Sequence, residues 1–114
     1  MITISLPWPP SVNRMYRTFR GRMLISREGR EYISLIDSIV SNLRIEKLLG
    51  RLEVVLAIYP PDRRKRDLDN LLKLTFDSLQ KARVYMDDSQ IDKITIQRFH
   101  IIKGGNIQVE ISER

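Results

Sequence analysis

The sequence contains no cysteine, and its 114 residues include a single histidine, His100. Without cysteine the chain can form no disulfide, no thiolate zinc site and no cysteine nucleophile. One histidine provides neither a histidine-rich metal site nor a Ser-His-Asp triad with any redundancy, and we expect His100 to be an ordinary strand residue. Any metal site in this chain therefore has to rely on oxygen ligands.

Long apolar runs are also missing from the chain. No stretch approaches the roughly 18 consecutive apolar residues that a transmembrane helix needs. The first ten residues lack the cationic start, the apolar stretch and the cleavage site of a signal peptide. We therefore expect a cytoplasmic protein with no membrane partner.

Positive charge is in excess, since 20 lysines and arginines against 14 acids give a formal net charge of +6. This excess favours a polyanionic partner, most simply nucleic acid. A length of 114 residues and a hydrophobic content of 42% are sufficient for one domain, residues 1–114, with a single core.

The spacing of apolar residues predicts an α+β fold in which one mixed β-sheet is covered by two α-helices. The strand at 51–59 is nearly continuous in hydrophobicity, so we expect it to lie centrally and to be buried on both faces for part of its length. Lys103-Gly104-Gly105 favours a tight hairpin between the last two strands. The predicted order is β, β-hairpin, α, β, α, β, β, where the hairpin is one of two alternatives for the segment after the first strand. The predicted elements are strands at 2–6, 51–59, 91–102 and 106–111, a helix from Ser26 to Leu49 closed by Gly50, and a helix from Asp67 or Leu68 to Ala82.

A segment that mixes cations with an aromatic side chain follows the first strand, and it contains Asn13, Arg14, Tyr16, Arg17, Arg20 and Arg22. Two interpretations are equally supported. The segment is either a strand or hairpin along a nucleic-acid backbone, with Arg14 and Arg17 as contacts, or a solvent-facing loop. Trp8 lies in the preceding Pro7-Trp8-Pro9-Pro10 and most simply packs to anchor this turn, with base stacking as the alternative.

Four consecutive cations stand directly before two carboxylates at a predicted helix start: Arg63, Arg64, Lys65 and Arg66, then Asp67 and Asp69. Either acid could simply cap the helix and favour its dipole, and a run of charge is usually a solvated loop. Taken together, cations for phosphates beside carboxylates for a metal outline the site of a metal-dependent nuclease.

A second acidic pair, Asp87-Asp88, follows the same helix. If Asp67, Asp69 and Asp88 converge, each two carboxylates about 5 Å apart repel by about 3 kcal/mol at an effective dielectric near 20. Three such pairs would cost roughly 10 kcal/mol, which is comparable to the stability of a whole domain. A divalent ion offsets that cost, and all-oxygen ligands suit Mg²⁺, or Mn²⁺ in its place.

Lys73 lies one helical turn after Asp69, where its ammonium could neutralise charge on a phosphate or orient the attacking water. The basic run and the helix N-terminus would hold neighbouring phosphates. Asp77, one turn further, is more simply a partner for Lys73 or a solvated helix residue than a metal ligand.

These residues, together with the proline-rich opening, resemble the RusA-type Holliday-junction resolvases, which are crossover junction endodeoxyribonucleases. The resemblance covers most of the chain. Its motifs are Leu6-Pro7-Trp8-Pro9-Pro10-Ser11, Asn13, Tyr16-Arg17, Pro61-Asp62 with the basic run, Asp67-Leu68-Asp69-Asn70-Leu71, Lys73, Phe76-Asp77, Leu79, Asp87-Asp88 and Lys103-Gly104-Gly105.

The resemblance implies a homodimer that binds four-way DNA junctions and makes paired nicks with Mg²⁺. The essential acids of the family correspond to Asp67, Asp69 and Asp88, and its catalytic lysine corresponds to Lys73. The basic run would then contact the junction. A two-fold symmetric dimer suits a junction that needs two symmetric cuts.

Two positions depart from the pattern of the family. Lys65 interrupts a run that is often all arginine in close relatives. The lysine ammonium supplies the positive charge but lacks the guanidinium geometry that binds a phosphate through two hydrogen bonds. Arg83 stands where relatives usually have glycine after the helix. Either Arg83 accepts a left-handed backbone conformation at some cost in free energy, or the helix ends differently. The Arg83 side chain could also add a phosphate contact.

Two other functions would use similar residues. A non-catalytic DNA-binding module of prophage origin would carry the same basic surface, and a metal nuclease for other branched DNA or for RNA would carry the same acids. The presence of all four catalytic positions argues against the non-catalytic module, because drift in a dead enzyme would have no reason to spare them together.

Overall fold

The computed structural model describes residues 1–114. Its sheet and helices confirm the predicted α+β class, and none of its helices has the length and apolar character needed to cross a membrane. In chain order the elements are β1 (Ile2–Leu6), α1 (Val12–Met15), β2 (Tyr16–Phe19), β3 (Arg22–Ile25), α2 (Arg27–Asn42), β4 (Leu52–Tyr59), α3 (Leu68–Lys81), a 3-10 turn (Asp88–Gln90), β5 (Ile91–Arg98) and β6 (Asn106–Glu113).

The main sheet has four strands in the order β1-β6-β4-β5, so β4 is central as predicted. β4 pairs parallel with β5 and antiparallel with β6. The predicted hairpin between the last two strands is therefore wrong, because β4 lies between them. Residues 99–105 instead cross the end of β4, where the amides of Phe99 and Ile102 donate to the carbonyls of Ile58 and Pro60 at 2.8 and 3.0 Å.

One face of the sheet carries the core. Along β4 the side chains alternate between buried and half-buried, and the helices α2 and α3 contribute to the same buried cluster as the inward-facing residues. The expectation that β4 is buried on both faces is therefore wrong. The opposite face of β4 presents Glu53, Val55, Ala57 and Tyr59, all partly exposed, because both long helices pack on the same side.

Helix α2 begins as predicted, since the Ser26 side chain accepts a hydrogen bond from the Gly29 amide at 3.0 Å. The predicted end at Leu49 is wrong, because the helix ends at Asn42 and Arg44 takes a φ of 54°. The apolar periodicity continues to Leu48 for another reason. The Leu48 amide donates to the carbonyl of Val84 at 2.8 Å, so this segment packs against the loop that follows α3.

Helix α3 has the predicted bounds and ends in a Schellman motif. The amide of Val84 donates to the carbonyl of Leu79 at 3.1 Å, and the amide of Arg83 donates to that of Gln80 at 3.0 Å. Arg83 adopts a φ of 65°, so it accepts the left-handed conformation, at a cost of roughly 1–2 kcal/mol for a residue with a Cβ.

The segment after β1 folds as a hairpin, which is the geometry that the first of the two interpretations predicted, and most of its side chains are exposed. Its contact with nucleic acid stays a prediction. A short helix that the sequence pattern did not predict, α1, leads into β2, and β2 pairs antiparallel with β3. The Ser26 hydroxyl donates to the carbonyls of Arg14 and Met15, which fixes α1, the helix before the hairpin, to the start of α2.

Trp8 packs against the core, as its proline-rich setting predicts, and it lies flat against the turn before β6. A Cβ on Gly105 would stand 2.9 Å from the indole carbons, and Gly105 has a φ of 72°. Glycine is therefore required at this position both for the backbone conformation and for the close approach of the ring.

Replacing Gly105 with alanine should lower the free energy of unfolding by roughly 2–4 kcal/mol, because left-handed strain and overpacking against Trp8 add. Gly104→Ala is the matched control, since its φ is 83° and no atom lies within 4 Å of a Cβ there. Denaturant unfolding of the two variants should show the larger loss for Gly105→Ala. Equal losses would contradict the contact with Trp8.

Candidate active site

The basic loop, residues 61–66, is fixed by its own carboxylate. Asp62 accepts the backbone N–H of Arg64 at 3.0 Å and forms an ion pair with the Arg66 guanidinium at 2.8 Å. The hydrogen bond from Arg66, followed by that from the Arg64 amide, holds the pKa of Asp62 below its usual value. The carboxylate is therefore ionised at neutral pH and stabilises the turn that presents the cations.

Arg66 supports this loop from within. Its guanidinium lies over the Trp8 ring at 5.3 Å from the centroid, and only 21% of its side chain is exposed. Arg98 of β5 donates to the Arg66 carbonyl at 2.5 Å. Arg63, Arg64 and Lys65 are exposed and remain the cations of this run that face solvent.

A cleft of about 780 Å³ lies between two parts of the chain. Residues 8–14 form one wall, and the start of α3 forms the other. The cleft brings Arg14 to the same cavity as Arg64 and Lys65, and Asp67 and Asn70 line its other wall. Arg17 is exposed on β2 and is not part of the cleft wall. Arg14 of α1 thus lies in the same cleft as the basic loop, whereas contact of Arg14 and Arg17 with nucleic acid stays a prediction.

The two acids at the start of α3 are unpaired. Asp67 occupies the N-cap position with φ −86° and ψ 133°, but its side chain accepts no capping hydrogen bond. Asp67 and Asp69 are exposed, and none of the ion pairs of the protein includes them. Capping therefore does not account for the Asp67 side chain, and both carboxylates are free to bind a ligand.

Asp88 lies at the opposite end of α3. Its backbone N–H donates to the Gln80 side chain at 3.1 Å, and Gln80 lies three helical turns after Asp69, about 16 Å along the axis at 1.5 Å per residue. No group of three or more metal-ligating side chains is formed within the chain. One chain therefore does not bring Asp67, Asp69 and Asp88 together, contrary to the convergence that the sequence pattern suggested.

The turn that carries Asp88 is rigidly held by its neighbours. The Gln90 side chain accepts the amides of Met86 and Asp87 at 2.8 and 3.0 Å, and donates to the carbonyls of Leu48 and Gly50 at 3.0 and 2.9 Å. The Ser89 hydroxyl donates to Asp87. These contacts engage Asp87 and leave the exposed Asp88 carboxylate without a partner.

The sequence model of the endodeoxyribonuclease RusA family matches residues 7–112. The chain is 41% identical over 112 residues to the crossover junction endodeoxyribonuclease RusA of Shigella sonnei (strain Ss046), which covers 97% of this chain and 93% of that protein. It is 40% identical over 112 residues to the protein of the same name from Escherichia coli (strain K12), with the same coverage. The chain belongs to the RusA family of endodeoxyribonucleases. A further relative, 40% identical over 111 residues, with 96% of this chain and 92% of that protein covered, is the crossover junction endodeoxyribonuclease of Enterobacteria phage 82.

Lys73, which we expect to be the catalytic lysine, lies over an aromatic ring and forms no ion pair with an acid. Its ammonium lies 5.4 Å from the centroid of Tyr16. We expected Asp77 to be a partner for Lys73 or a solvated helix residue. Its carboxylate instead accepts a hydrogen bond from the Tyr16 hydroxyl at 2.5 Å. Burial, and then the hydrogen bond to Asp77, raise the pKa of Tyr16, so the hydroxyl keeps its proton at neutral pH. Tyr16 therefore links the hairpin to α3 beside Lys73.

Three residues that contact or line the site were missed by the sequence pattern. Arg98 holds the loop through a backbone carbonyl, Tyr16 positions Lys73, and Asn70 lines the cleft. Asn70 and Tyr16 belong to motifs shared with the family, so their place in those motifs was the available signal. Arg98 lies in a strand of alternating polar and apolar residues. Its contact with the basic loop could not be predicted without knowing which strand pairs with which in the sheet.

The hydrogen bond between Tyr16 and Asp77 should contribute about 1–3 kcal/mol to stability, because its acceptor is charged and the site is partly buried. A double-mutant cycle with Tyr16→Phe and Asp77→Asn, followed by chemical unfolding, should show a coupling energy near 1 kcal/mol or more. Tyr59→Phe is the control, since no hydrogen bond involves its hydroxyl. Additive effects of Tyr16→Phe and Asp77→Asn would exclude the interaction.

Proposed function

We propose that this protein is a structure-selective endodeoxyribonuclease that resolves four-way DNA junctions with Mg²⁺ as cofactor. The observation that supports it most directly is the cleft in which Arg14, Arg64 and Lys65 face the unpaired acid Asp67 at the start of α3. Membership of the RusA family, whose relatives are named crossover junction endodeoxyribonucleases, supplies the substrate class. Because that substrate is intracellular DNA, we expect the protein to act in the cytoplasm.

The exposed cations would hold the phosphates next to the scissile bond. Arg64 can bind a phosphate with a bidentate fork, whereas Lys65 adds a point charge. The N-terminus of α3 opens on the same cleft and adds the positive end of the helix dipole. Binding should therefore weaken steeply with salt, as expected when several phosphate contacts release counterions.

The free carboxylates Asp67, Asp69 and Asp88 fit a hard divalent cation, Mg²⁺ or Mn²⁺, because they offer only oxygen and have no cation of the protein bound to them. Such an ion supplies Lewis acidity toward the phosphate and a more acidic bound water. Lys73, one turn from Asp69 and held over Tyr16, would stabilise the negative charge that increases on the phosphate in the transition state.

The positions of the acids along α3 favour a homodimer in which the two chains share each site. Carboxylates on one ion must lie within a few ångströms of each other, yet Asp69 lies about 16 Å along the helix axis from Gln80, whose side chain accepts the Asp88 amide. A second chain, related by two-fold symmetry, would bring its own Asp88 to the Asp67 and Asp69 of the first. Two such sites would match the two symmetric cuts that junction resolution requires.

Wild type should make paired symmetric nicks in a mobile synthetic four-way junction only when Mg²⁺ is added. Asp69→Asn should reduce nicking by about 100-fold or more, in line with the loss of one charge-stabilising group, and should bind the junction at least as tightly as wild type. Glu110→Gln, on the exposed face of the sheet, is the control and should nick normally. Tight binding without nicks from the wild type would leave a non-catalytic DNA-binding module.

Mixing inactive variants tests the shared site. In a heterodimer of Asp69→Asn and Asp88→Asn chains, one site combines the intact Asp69 of one chain with the intact Asp88 of the other. Refolded mixtures should therefore nick one strand per junction, whereas either variant alone should not nick. If every site were formed within one chain, the mixture would stay as inactive as its components.

A further inference from the structure

A second basic surface lies away from the cleft, along α2 and the segment after it, beside the C-terminal end of α3. It is a groove of about 930 Å³ that shares no residue with the wall of the cleft. Its ionisable lining consists of five cations and a single acid: Arg30, Arg44, Lys47, Lys81, Arg83 and Asp37. We call this surface the basic groove.

The cations of the basic groove lack partners of opposite charge. The ion pairs of the protein involve none of its residues. Arg30 makes one internal contact, donating to the carbonyl of Ile25 at 3.1 Å. Repulsion between these side chains is thus not relieved within the protein, which is the charge distribution expected of a surface that binds a polyanion.

Two of these arginines occupy conformations that favour glycine. Arg44 has a φ of 54° and Arg83 has a φ of 65°, each directly after the end of a long helix. Glycine would form the same helix ends without steric cost. Strained residues of this kind are concentrated at functional sites, where the side chain has a use that the backbone does not explain.

Compensation of helix dipoles explains only part of this charge. The C-termini of α2 and α3 carry a partial charge of about −0.5 each. Together they are equivalent to about one negative charge, to which Asp37 adds one more. The five cations exceed that total, so the basic groove keeps a net positive charge after the helix ends are balanced.

We propose that the basic groove binds the phosphate backbone of a duplex arm of the DNA substrate. The proposal rests on the proposed function and extends its substrate contacts. Arg83 lies about 21 Å along α3 from the first turn, where the cleft is, at 1.5 Å per residue. That distance corresponds to about six nucleotides of one strand at about 3.4 Å each. A DNA arm that leaves the cleft and continues along α3 would span that distance, so one ligand would account for both basic surfaces, whereas an acidic protein would be a second partner.

The test compares Arg83→Gly and Arg44→Gly, alone and together, with Arg20→Gly. Arg20 is the matched control, because it is an exposed arginine with a φ of 51° in the turn between β2 and β3, outside the basic groove. All three changes remove one charge and one strained conformation. We expect none of the three substitutions to lower the melting temperature. If the guanidinium group only stabilised the fold, its removal would lower that temperature.

The expected result is measured on a four-way junction with long arms. Each groove variant should weaken binding roughly five- to tenfold at 0.1 M salt and lower the salt slope by about one. Hydroxyl-radical footprints should lose protection on the arm backbone about six nucleotides from the phosphates bound by the cleft, while protection of those phosphates remains. Arg20→Gly should keep the arm protection.

Two results would overturn the proposal. One is unchanged affinity and footprint in the Arg44→Gly, Arg83→Gly double variant. The other is loss of poly-glutamate binding without loss of junction binding, which would assign the groove to an acidic protein. Nicking with Mg²⁺ by the wild type is scored separately, so failure of the nuclease function is distinguishable from failure of the basic groove.

Discussion

Helix α3 packs Leu71, Leu74, Phe76 and Leu79 into the core on the buried face of β4, and this packing fixes its direction. β4 runs toward the basic loop, α3 returns antiparallel to it, and β5 then starts beside the beginning of β4. The charged groups along the helix therefore occupy set positions. The cations and the first two acids lie at one end, and Asp88 lies at the other.

In the proposed homodimer, this arrangement would leave each chain with two separated parts of a site. Asp67 and Asp69 begin the helix that Asp88 follows, so no rotation of side chains can join them. The basic loop is held by Asp62 and Trp8, and the Asp88 turn is held by Gln90. Both parts are thus held in place by contacts within their own chain, which would lower the entropy cost of assembling them across the two chains of the proposed homodimer.

Several features followed from local patterns alone. The bounds of α3 to within one residue and the Ser26 cap depend on periodicity and on groups a few residues apart. The central place of β4 agreed with its nearly continuous hydrophobicity, although the strand is buried on one face only. The errors concern long-range contacts. The end of α2 was misplaced because Leu48 continues the helical spacing while packing elsewhere, and the last hairpin was misassigned because a glycine turn does not specify which strand lies alongside.

The sequence by itself determined which groups are available: oxygen ligands without thiols, a basic run beside two acids, and an arginine after α3. Tertiary structure decided which of them meet. Arg14 lies in the cleft, Asp77 accepts a hydrogen bond from Tyr16, and Asp88 lies at the opposite end of α3 from Asp69. The reason is physical. Composition and spacing describe groups along the chain, whereas burial of the apolar faces sets the distances between them.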